Sequence, residues 1–220
     1  MKPRLGCACL ILLFISQAAA EDKFGLALKV GPNFSNMLVR EKSTNLVVNT
    51  DMRIKPSYFL EAEFVITKHL SYVVGFQYLV HAYSGNAVDS IYTYEYTRRA
   101  NFLSIPNKIR VFFHHRKLQS FLSVGINAET VLSARFYQNY DDPTIPTYET
   151  GIKILYSDIT FTPELDAGLR LPLAGFFLTL EGTYAHGTET VNNPDLESFA
   201  THSRKIRDFR FMLGISRYLF

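Results

Sequence analysis

Three histidines and the hydroxyl and acidic residues near them are the side chains of this sequence that could support catalysis. The histidines are His81, His186 and His202, and the neighbouring candidates are Ser84, Asp89, Asp141, Asp142 and Ser203. A catalytic triad requires a nucleophile, a base and an orienting carboxylate within hydrogen-bond reach of one another, which spacing in long loops does not establish. The sequence therefore predicts no catalytic residues and no enzyme, and a hydrolytic site at one rim of the fold is kept as an alternative.

Metal and cofactor motifs are missing from the sequence. His114 and His115 are adjacent, but Arg116 and Lys117 follow them, and positive neighbours oppose a bound cation. No phosphate-binding glycine loop, zinc motif or nucleotide fingerprint is present. The two cysteines lie at positions 7 and 9, in an N-terminal apolar segment. We expect no metal site and no cofactor-binding residues.

Alternation of apolar and polar residues, the pattern of β-strands, recurs in eight segments. Each reaches about ten residues, which is the length of a tilted strand that crosses a bilayer. The segments are Phe24–Phe34, Tyr58–Thr67, Leu70–Ala82, Phe102–Phe113, Gln119–Ala134, Ser157–Arg170, Phe176–His186 and Arg207–Phe220. The connections alternate between short (68–69, 114–118 and 171–175) and long (37–55, 83–101, 135–156 and 187–206).

This rhythm predicts an all-β fold, an eight-stranded antiparallel transmembrane β-barrel with short periplasmic turns and long extracellular loops. A soluble barrel with its apolar face inward is the competing interpretation. Two features favour the membrane barrel: the polar face is rich in glycine, as a narrow lumen needs, and aromatic residues on the apolar face lie near strand ends. Those aromatic residues are Tyr58, Tyr72, Phe161, Phe176 and Tyr184.

The inward face of such a barrel would carry many charges, because an eight-stranded barrel has room only for side chains in its interior. The predicted lumen charge cluster is Glu61, Glu63, Lys108, Arg110, Glu129, Glu164, Asp166, Arg170, Glu181 and Arg210, and Lys29 and Asp208 share its face. A two-residue turn after Leu171 would place Glu164 opposite Glu181, with Arg210 between them or Arg110 as substitute. A salt-bridge plug is the favoured interpretation, and a proton or substrate site is the alternative.

The two ends of the chain resemble targeting signals. Lys2 and Arg4, an apolar stretch, and Ala18 and Ala20 indicate a secretory signal peptide over residues 1–20, followed by a barrel domain over 21–220. Tyr218 and the terminal Phe220 fit an assembly signal of outer-membrane proteins. The alternation that places apolar residues outward includes Tyr218 and Phe220 only if a bulge near 216–217 shifts it by one residue. Without that bulge Phe220 would point inward.

Composition agrees with a barrel and excludes several other classes. The chain has 47% hydrophobic and 14% aromatic residues, no Trp, and 23 basic against 20 acidic residues. This balance argues against disorder and against nucleic-acid binding. The expected partners are outer-membrane lipid, the barrel assembly machinery and, through one alternative function, secretion-system proteins. Aromatic residues in two long connections (Tyr92, Tyr94, Tyr96, Phe136, Tyr137, Tyr140 and Tyr148) predict either a recognition surface or strands that continue beyond the bilayer.

Several short segments resemble the PorT-like outer-membrane β-barrel family of Bacteroidetes. They are residues 31–36 (GPNFSN), 103–106 (LSIP), 121–125 (FLSVG), 165–169 (LDAGL) and the terminal 218–220 (YLF). Ser104 stands where family members often have an acidic residue, and Lys108 and Arg110 replace a more apolar stretch. The resemblance implies an outer-membrane location and, for the name-giving members, a part in type IX secretion and gliding. It implies no catalytic residues.

We therefore expect an outer-membrane protein of a Gram-negative bacterium with a structural or accessory role in the envelope and no open pore. An accessory part in type IX secretion, a rim-located enzyme and a small-ligand carrier are the alternatives. The ligand carrier would require an internal cavity in place of a charge-filled lumen.

Overall fold

A computed structural model describes residues 24–41, 47–89, 92–115, 118–153, 159–187 and 202–219. The predicted signal peptide and Phe220 lie outside these residues. Within the described ranges, no helix has both the length and the apolar character required to cross a membrane.

Ten antiparallel β-strands make up the described structure, and eight of them form a closed ring. The strands are β1 (Phe24–Glu41), β2 (Val47–Asn49), β3 (Asp51–Thr67), β4 (Leu70–Asp89), β5 (Tyr92–His115), β6 (Leu118–Tyr140), β7 (Tyr148–Gly151), β8 (Thr160–Leu173), β9 (Phe176–His186) and β10 (His202–Tyr218). The ring runs β1-β3-β4-β5-β6-β8-β9-β10 and closes through β10 and β1, while β2 and β7 pair with β1 and β6. The predicted eight-stranded antiparallel barrel is confirmed.

The register around the ring fixes the shape of the barrel. Following the row of directly paired residues from strand to strand around the ring, beginning at Phe24 of β1, leads back to β1 at Phe34, which is ten residues further along. Eight strands with this stagger tilt by about 40° from the barrel axis. Ten residues on such a strand rise about 25 Å, which is the height of the apolar band on outer-membrane barrels. The other members of the row are all outward-facing aromatic or aliphatic residues: Phe64, Tyr72, Ile109, Val124, Leu165, Tyr184 and Phe209.

The two faces of the sheet differ in polarity, and the apolar face is outside. Leu165 and Leu213 are 54% and 53% exposed, whereas Glu164 and Glu181 are 3% and 1% exposed. Exposing such a continuous apolar belt to water would be unfavourable, so this surface requires a lipid environment. The soluble-barrel interpretation is therefore wrong.

Aromatic residues lie at both ends of the apolar belt. Phe24 and Phe64 pack at 5.2 Å between ring centroids near the turn side, and Tyr184 and Phe209 pack at 4.8 Å near the opposite side. Of the predicted positions, Tyr58, Phe161, Phe176 and Tyr184 are exposed on the outer face, and Tyr72 is half-buried there. Aromatic rings at two levels are typical of membrane interfaces.

The turn between β8 and β9 lies further along the chain than the sequence suggested. Its two central residues are Ala174 and Gly175, with φ values of 41° and 90°. Two successive residues with positive φ form the tight turn that matches the twist of a hairpin, and glycine suits the second position. As a result β8 continues to Leu173, and the predicted turn directly after Leu171 is wrong.

Most described residues of the predicted long connections 37–55 and 83–101, and part of 135–156, belong to strands, while 188–201 of the fourth lie outside the described residues. β4 continues to Asp89, β5 begins at Tyr92, and β6 continues to Tyr140. These segments are rich in Tyr and Thr, which favour extended structure, and they pair with each other without interruption by proline. We call residues 36–41, 80–89, 92–101, 131–140 and 202–207 the extension, since they lie beyond the outer aromatic level.

The barrel interior at the base of the extension is mainly apolar, and His81 is a buried polar residue there. Ile152, in the segment after β7, contributes to this interior, and its amide donates to the Ala134 carbonyl at 3.0 Å. We call the buried set the outer cluster, and its members are Met37, Leu79, Tyr83, Ala100, Phe102, Val131, Ala134, Ile152 and Ile206. The barrel interior thus holds an apolar layer toward the extracellular end and a charged layer below it.

Candidate functional site

The charged layer inside the barrel is the candidate functional site. The structure places all ten residues of the predicted lumen charge cluster inside the barrel, each at most 5% exposed. Lys29 and Asp208 join them at 1% and 3% exposure. Strand alternation places these side chains inward, because every second residue of a strand that faces lipid outside must face the lumen.

Arg110 is the centre of the first ion-pair network. Its Nη1 donates to Glu61 Oε1 at 2.6 Å and to Glu63 Oε2 at 3.2 Å, and its Nη2 donates to Glu181 Oε2 at 3.2 Å. Lys29 Nζ lies 2.5 Å from Glu61 Oε2 and 2.7 Å from Glu181 Oε2. We call these five residues the Arg110 network. They come from β1, β3, β5 and β9, so the network connects strands on opposite sides of the barrel.

Arg170 closes the lumen on the turn side. Its Nη2 donates to Glu63 Oε2 at 2.6 Å, and its Nη1 donates to the Tyr218 phenol oxygen at 2.8 Å. Pairing of β10 with β1 is regular from Leu213 to Tyr218, so no bulge turns Tyr218 outward. The suggested bulge near 216–217 is therefore wrong, and Tyr218 is a lumen residue. Its role as an assembly signal stays a prediction.

Glu164 is the centre of a second network. It forms an ion pair with Lys108, and its Oε2 accepts from Arg210 Nη2 at 2.5 Å. Lys108 Nζ also donates to Asp166 Oδ2 at 2.9 Å. We call Lys108, Glu164, Asp166 and Arg210 the Lys108 network.

The expected pairing of Glu164 with Glu181 across two strands is wrong. Glu164 lies opposite Ala185, and Glu181 lies opposite Gly168, because the turn falls at positions 174–175. Consequently no single cation among the described residues pairs with both carboxylates. Arg210 pairs with Glu164, and Arg110 pairs with Glu181. Both glutamates do face the lumen, as the sequence pattern indicated.

Aromatic rings and glycines complete the packing around the cations, and sequence reasoning did not identify the rings as part of the site. Phe59 lies between Lys29 and Lys108, with each ammonium 5.2 Å from the ring centroid. Arg110 lies over Phe121 at 4.4 Å. A Cβ atom added at Gly125 would clash with the Asn107 carbonyl oxygen and would lie 2.7 Å from Lys108 Cγ, so this glycine allows the close approach of β5 and leaves room for the Lys108 side chain. These rings could have been identified from the alternation of their strands, which places them on the same face as the charged residues.

Charge balance differs along the lumen. The buried set contains seven carboxylates and five Lys or Arg residues. Among the described residues, Glu129 has no Lys, Arg or His nitrogen within 4.0 Å, and its Oε2 accepts from Thr162 Oγ1 at 3.0 Å. Asp208 lies 3.6 Å from Arg210 Nε and 3.9 Å from His81 Nδ1. The carboxylates nearest the outer cluster are thus the least compensated.

The histidines that could serve a hydrolytic site do not form a triad in the described part of the chain. His81 is buried in the lumen, and neither ring nitrogen has a hydrogen-bond partner. His186 is on the outer face, and its Nδ1 lies 3.4 Å from the Tyr184 hydroxyl. The side chain of His202 lies outside the described set. Where side chains are described, no group of three or more His, Cys, Asp or Glu is arranged to hold a metal ion.

Aromatic residues of the extension pair across strands. Tyr94 packs against Tyr140 at 5.7 Å, and Tyr96 packs against Phe136 at 6.1 Å. The Arg98 guanidinium lies 5.4 Å from the Phe136 ring centroid. The prediction that the strands continue beyond the bilayer is therefore confirmed for this region, and its use as a recognition surface stays a prediction.

Comparison with known proteins gives structural neighbours only. Searches of protein-family models and of curated protein sequences find no match. Neisserial surface protein A aligns with 12% identity over 88% of this chain and 99% of its own, with a TM-score of 0.45. The outer membrane protease OmpT from Escherichia coli aligns with 9% identity over 91% and 98%, with a TM-score of 0.48. Ail, the attachment invasion locus protein of Yersinia pestis, aligns with 9% identity over 88% and 99%, with a TM-score of 0.40.

Three features of the structure together define the class of protein. The eight-stranded ring is closed, its outer belt is apolar between two aromatic levels, and most of its buried charged residues form ion pairs in the interior. A closed barrel leaves no unpaired sheet edge in the hydrocarbon, which is why only such sheets span membranes. The chain is an eight-stranded transmembrane β-barrel of the Gram-negative outer membrane.

Proposed function

We propose that this barrel is a structural or accessory protein of the outer membrane, that its lumen conducts no solute, and that it is not an enzyme. The observation that supports the closed lumen most directly is the Arg110 network, whose ion pairs join β1, β3, β5 and β9 across the interior. The outer cluster lies above this network. A solute would have to displace both layers to pass.

The charged side chains of the Arg110 and Lys108 networks are assigned a stabilising role because each forms at least one ion pair inside the lumen. Removing one member of a buried ion pair leaves its partner uncompensated, at a cost of about 3–5 kcal/mol. Arg110 contacts three carboxylates, so it contributes more than a single pair would. A channel lining would instead leave charges free to contact water.

Conductance across planar lipid bilayers tests the closed lumen. The refolded protein is expected to produce no unitary current steps, while an open porin in the same bilayers provides the positive control. The variant Leu79→Ala, which truncates the outer cluster but leaves the Arg110 network intact, is also expected to remain silent. Discrete, reproducible steps from the unaltered chain would overturn this part of the proposal.

An accessory role is supported by the extension and by the resemblance to PorT-like barrels. The outer face of the extension presents exposed Arg99 and half-buried Tyr137 above the membrane, and Tyr and Arg are favoured in protein recognition. A part in type IX secretion predicts that a deletion strain retains cargo proteins in the periplasm. Re-expression of the unaltered chain should restore secretion, and the variant Arg99→Ala should restore it less well than the charge-preserving variant Arg99→Lys. Normal secretion in the deletion strain would dismiss the secretion role and leave a stand-alone structural role.

A further inference from the structure

Three basic side chains lie together on the outer surface directly above the outer aromatic level. Arg207 of β10 is paired in the sheet with His186 of β9, and Lys205 lies two residues further along β10. The alternation of β10 places Arg207 and Lys205 on the same face as Phe209, which is 46% exposed, and opposite Ile206 and Asp208, which are buried. This basic group therefore lies on the same outer surface as the lipid-facing belt, directly beyond its extracellular end.

The charges of this group are not neutralised by the described part of the protein. No carboxylate of the described residues lies within 4.0 Å of Lys205 or Arg207, and Arg207 Nε is buried without a hydrogen-bond partner. Two arginines of the extracellular rim are paired: Arg53 lies 2.5 Å from Glu95, and Arg135 lies 2.6 Å from Glu149. Arg98, by contrast, resembles Arg207 in having buried guanidinium nitrogens without a hydrogen-bond partner, but it lies on the inner face. Two neighbouring cations without a described counter-charge, one of them a half-buried guanidinium, offer several donors for charge-assisted hydrogen bonds to an anion.

His186 contributes a hydrogen-bonding group rather than a third charge. Burial, with Arg207 and Lys205 nearby, lowers the pKa of His186 below its usual value. The imidazole is therefore neutral near pH 7, with Nδ1 beside the Tyr184 hydroxyl at 3.4 Å. Tyr184 in turn packs on Phe209, so the His186 imidazole lies directly beside the outer aromatic level.

From this geometry we infer that His186, Lys205 and Arg207 form a binding site for a phosphorylated headgroup of an outer-leaflet lipid. Phosphate oxygens match the donor set, since arginine binds phosphate through several N–H groups and lysine adds a point charge. The position of the group favours a lipid over a free anion, because the lipid-facing belt ends where the basic residues begin. An acyl chain packed on Tyr184 and Phe209 would bring its headgroup to this level.

Native mass spectrometry of the detergent-solubilised barrel tests the site, with diphosphorylated lipid A as the probe and fully dephosphorylated lipid A as the comparison. A basic residue near an anionic headgroup contributes about a fivefold change in affinity, so Lys205→Gln/Arg207→Gln should weaken binding of the phosphorylated probe about 30-fold. Arg135→Gln, which removes a paired cation of the same rim, should change it less than about twofold. The dephosphorylated probe should bind weakly to all three proteins.

A second readout distinguishes a lost site from a lost fold. Binding of a phosphorylated headgroup should raise the pKa of His186, measured from its imidazole resonances in an NMR pH titration, and this shift should vanish in the double variant. Retention of heat-modifiable mobility on gels would show that the variant is folded. Equal binding of phosphorylated and dephosphorylated probes, or equal binding to the double variant, would overturn the proposal. Displacement of the probe by inorganic phosphate at matching concentration would identify a free-anion site and overturn the lipid assignment.

Discussion

The transmembrane part of the barrel and the extension are built from the same strands but have opposite interiors. On β5, Lys108 and Arg110 point into the lumen while Ile109 faces lipid at 42% exposure. Further along the same strand, Phe102 and Ala100 are fully buried inside, while Arg99 is exposed outside. The inward phase of the strand never changes.

What changes along the strand is the solvent on its outer face. In hydrocarbon the outer residue must be apolar, and the polar residues of the alternating pattern have only the lumen to occupy. Beyond the membrane the outer face meets water, so apolar residues return to the interior as in a soluble protein. β10 repeats this behaviour, with Arg210 inside below and Ile206 inside above. The position of the inversion marks the outer membrane surface.

The largest expected effect comes from removing the centre of the charged layer. Arg110→Ala should lower the free energy of unfolding by about 4 kcal/mol, because Glu61, Glu63 and Glu181 lose a shared partner. Urea titration in lipid vesicles, followed by gel mobility, measures it. Arg135→Ala on the extracellular rim should cost less than about 1 kcal/mol. Similar costs for the two variants would contradict a stabilising role of the network.

Truncation in the outer cluster should cost somewhat less and act locally. Leu79→Ala removes a fully buried side chain and should cost about 3 kcal/mol. Amide exchange should accelerate in the extension segments of β4, β5 and β6 and stay slow in the transmembrane part. Uniform acceleration along these strands would mean that the two layers do not behave as separate regions.

A charge on the lipid-facing surface tests where the inversion occurs. Leu165→Arg, near the middle of the apolar belt, should cost about 2–4 kcal/mol because the guanidinium enters hydrocarbon. The reverse change on the outer face of the extension, Arg99→Leu, should be within about 0.5 kcal/mol of neutral. Both values come from the same urea titration, and a large cost for Arg99→Leu would place the membrane boundary further out.

The smallest predicted effect has the opposite sign. Glu129→Gln should leave stability unchanged or raise it by up to about 1 kcal/mol, because no cation of the described structure compensates this carboxylate. Glu61→Gln, which weakens pairs with Arg110 and Lys29, should instead be destabilising by more than about 1 kcal/mol. Equal destabilisation by both changes would contradict the view that Glu129 is the uncompensated carboxylate of the lumen.

Sequence reasoning succeeded where a single local pattern was sufficient and failed where two distant segments had to be aligned. Alternation placed Glu164 and Glu181 in the lumen without knowledge of their neighbours. Their partners depended on the register of β8 and β9, which a turn at Ala174 and Gly175 set four residues away from the expected pairing. Moving the turn by two residues along the chain changes the pairing of the two strands but leaves every side chain on the same face. The alternating pattern is therefore the same for both turn positions and does not distinguish them.

The sequence by itself determined that eight strands alternate, which face of each is apolar, and therefore that the barrel has lipid outside and charge inside. Only the tertiary structure decided which charges meet, that Tyr218 points inward, and that Ile152 joins an apolar layer above the ion pairs. Period-two alternation is a property of neighbouring residues, so it can be read from one strand. Pairing across a lumen depends on strand register and barrel stagger together, and both exist only after the ring has closed.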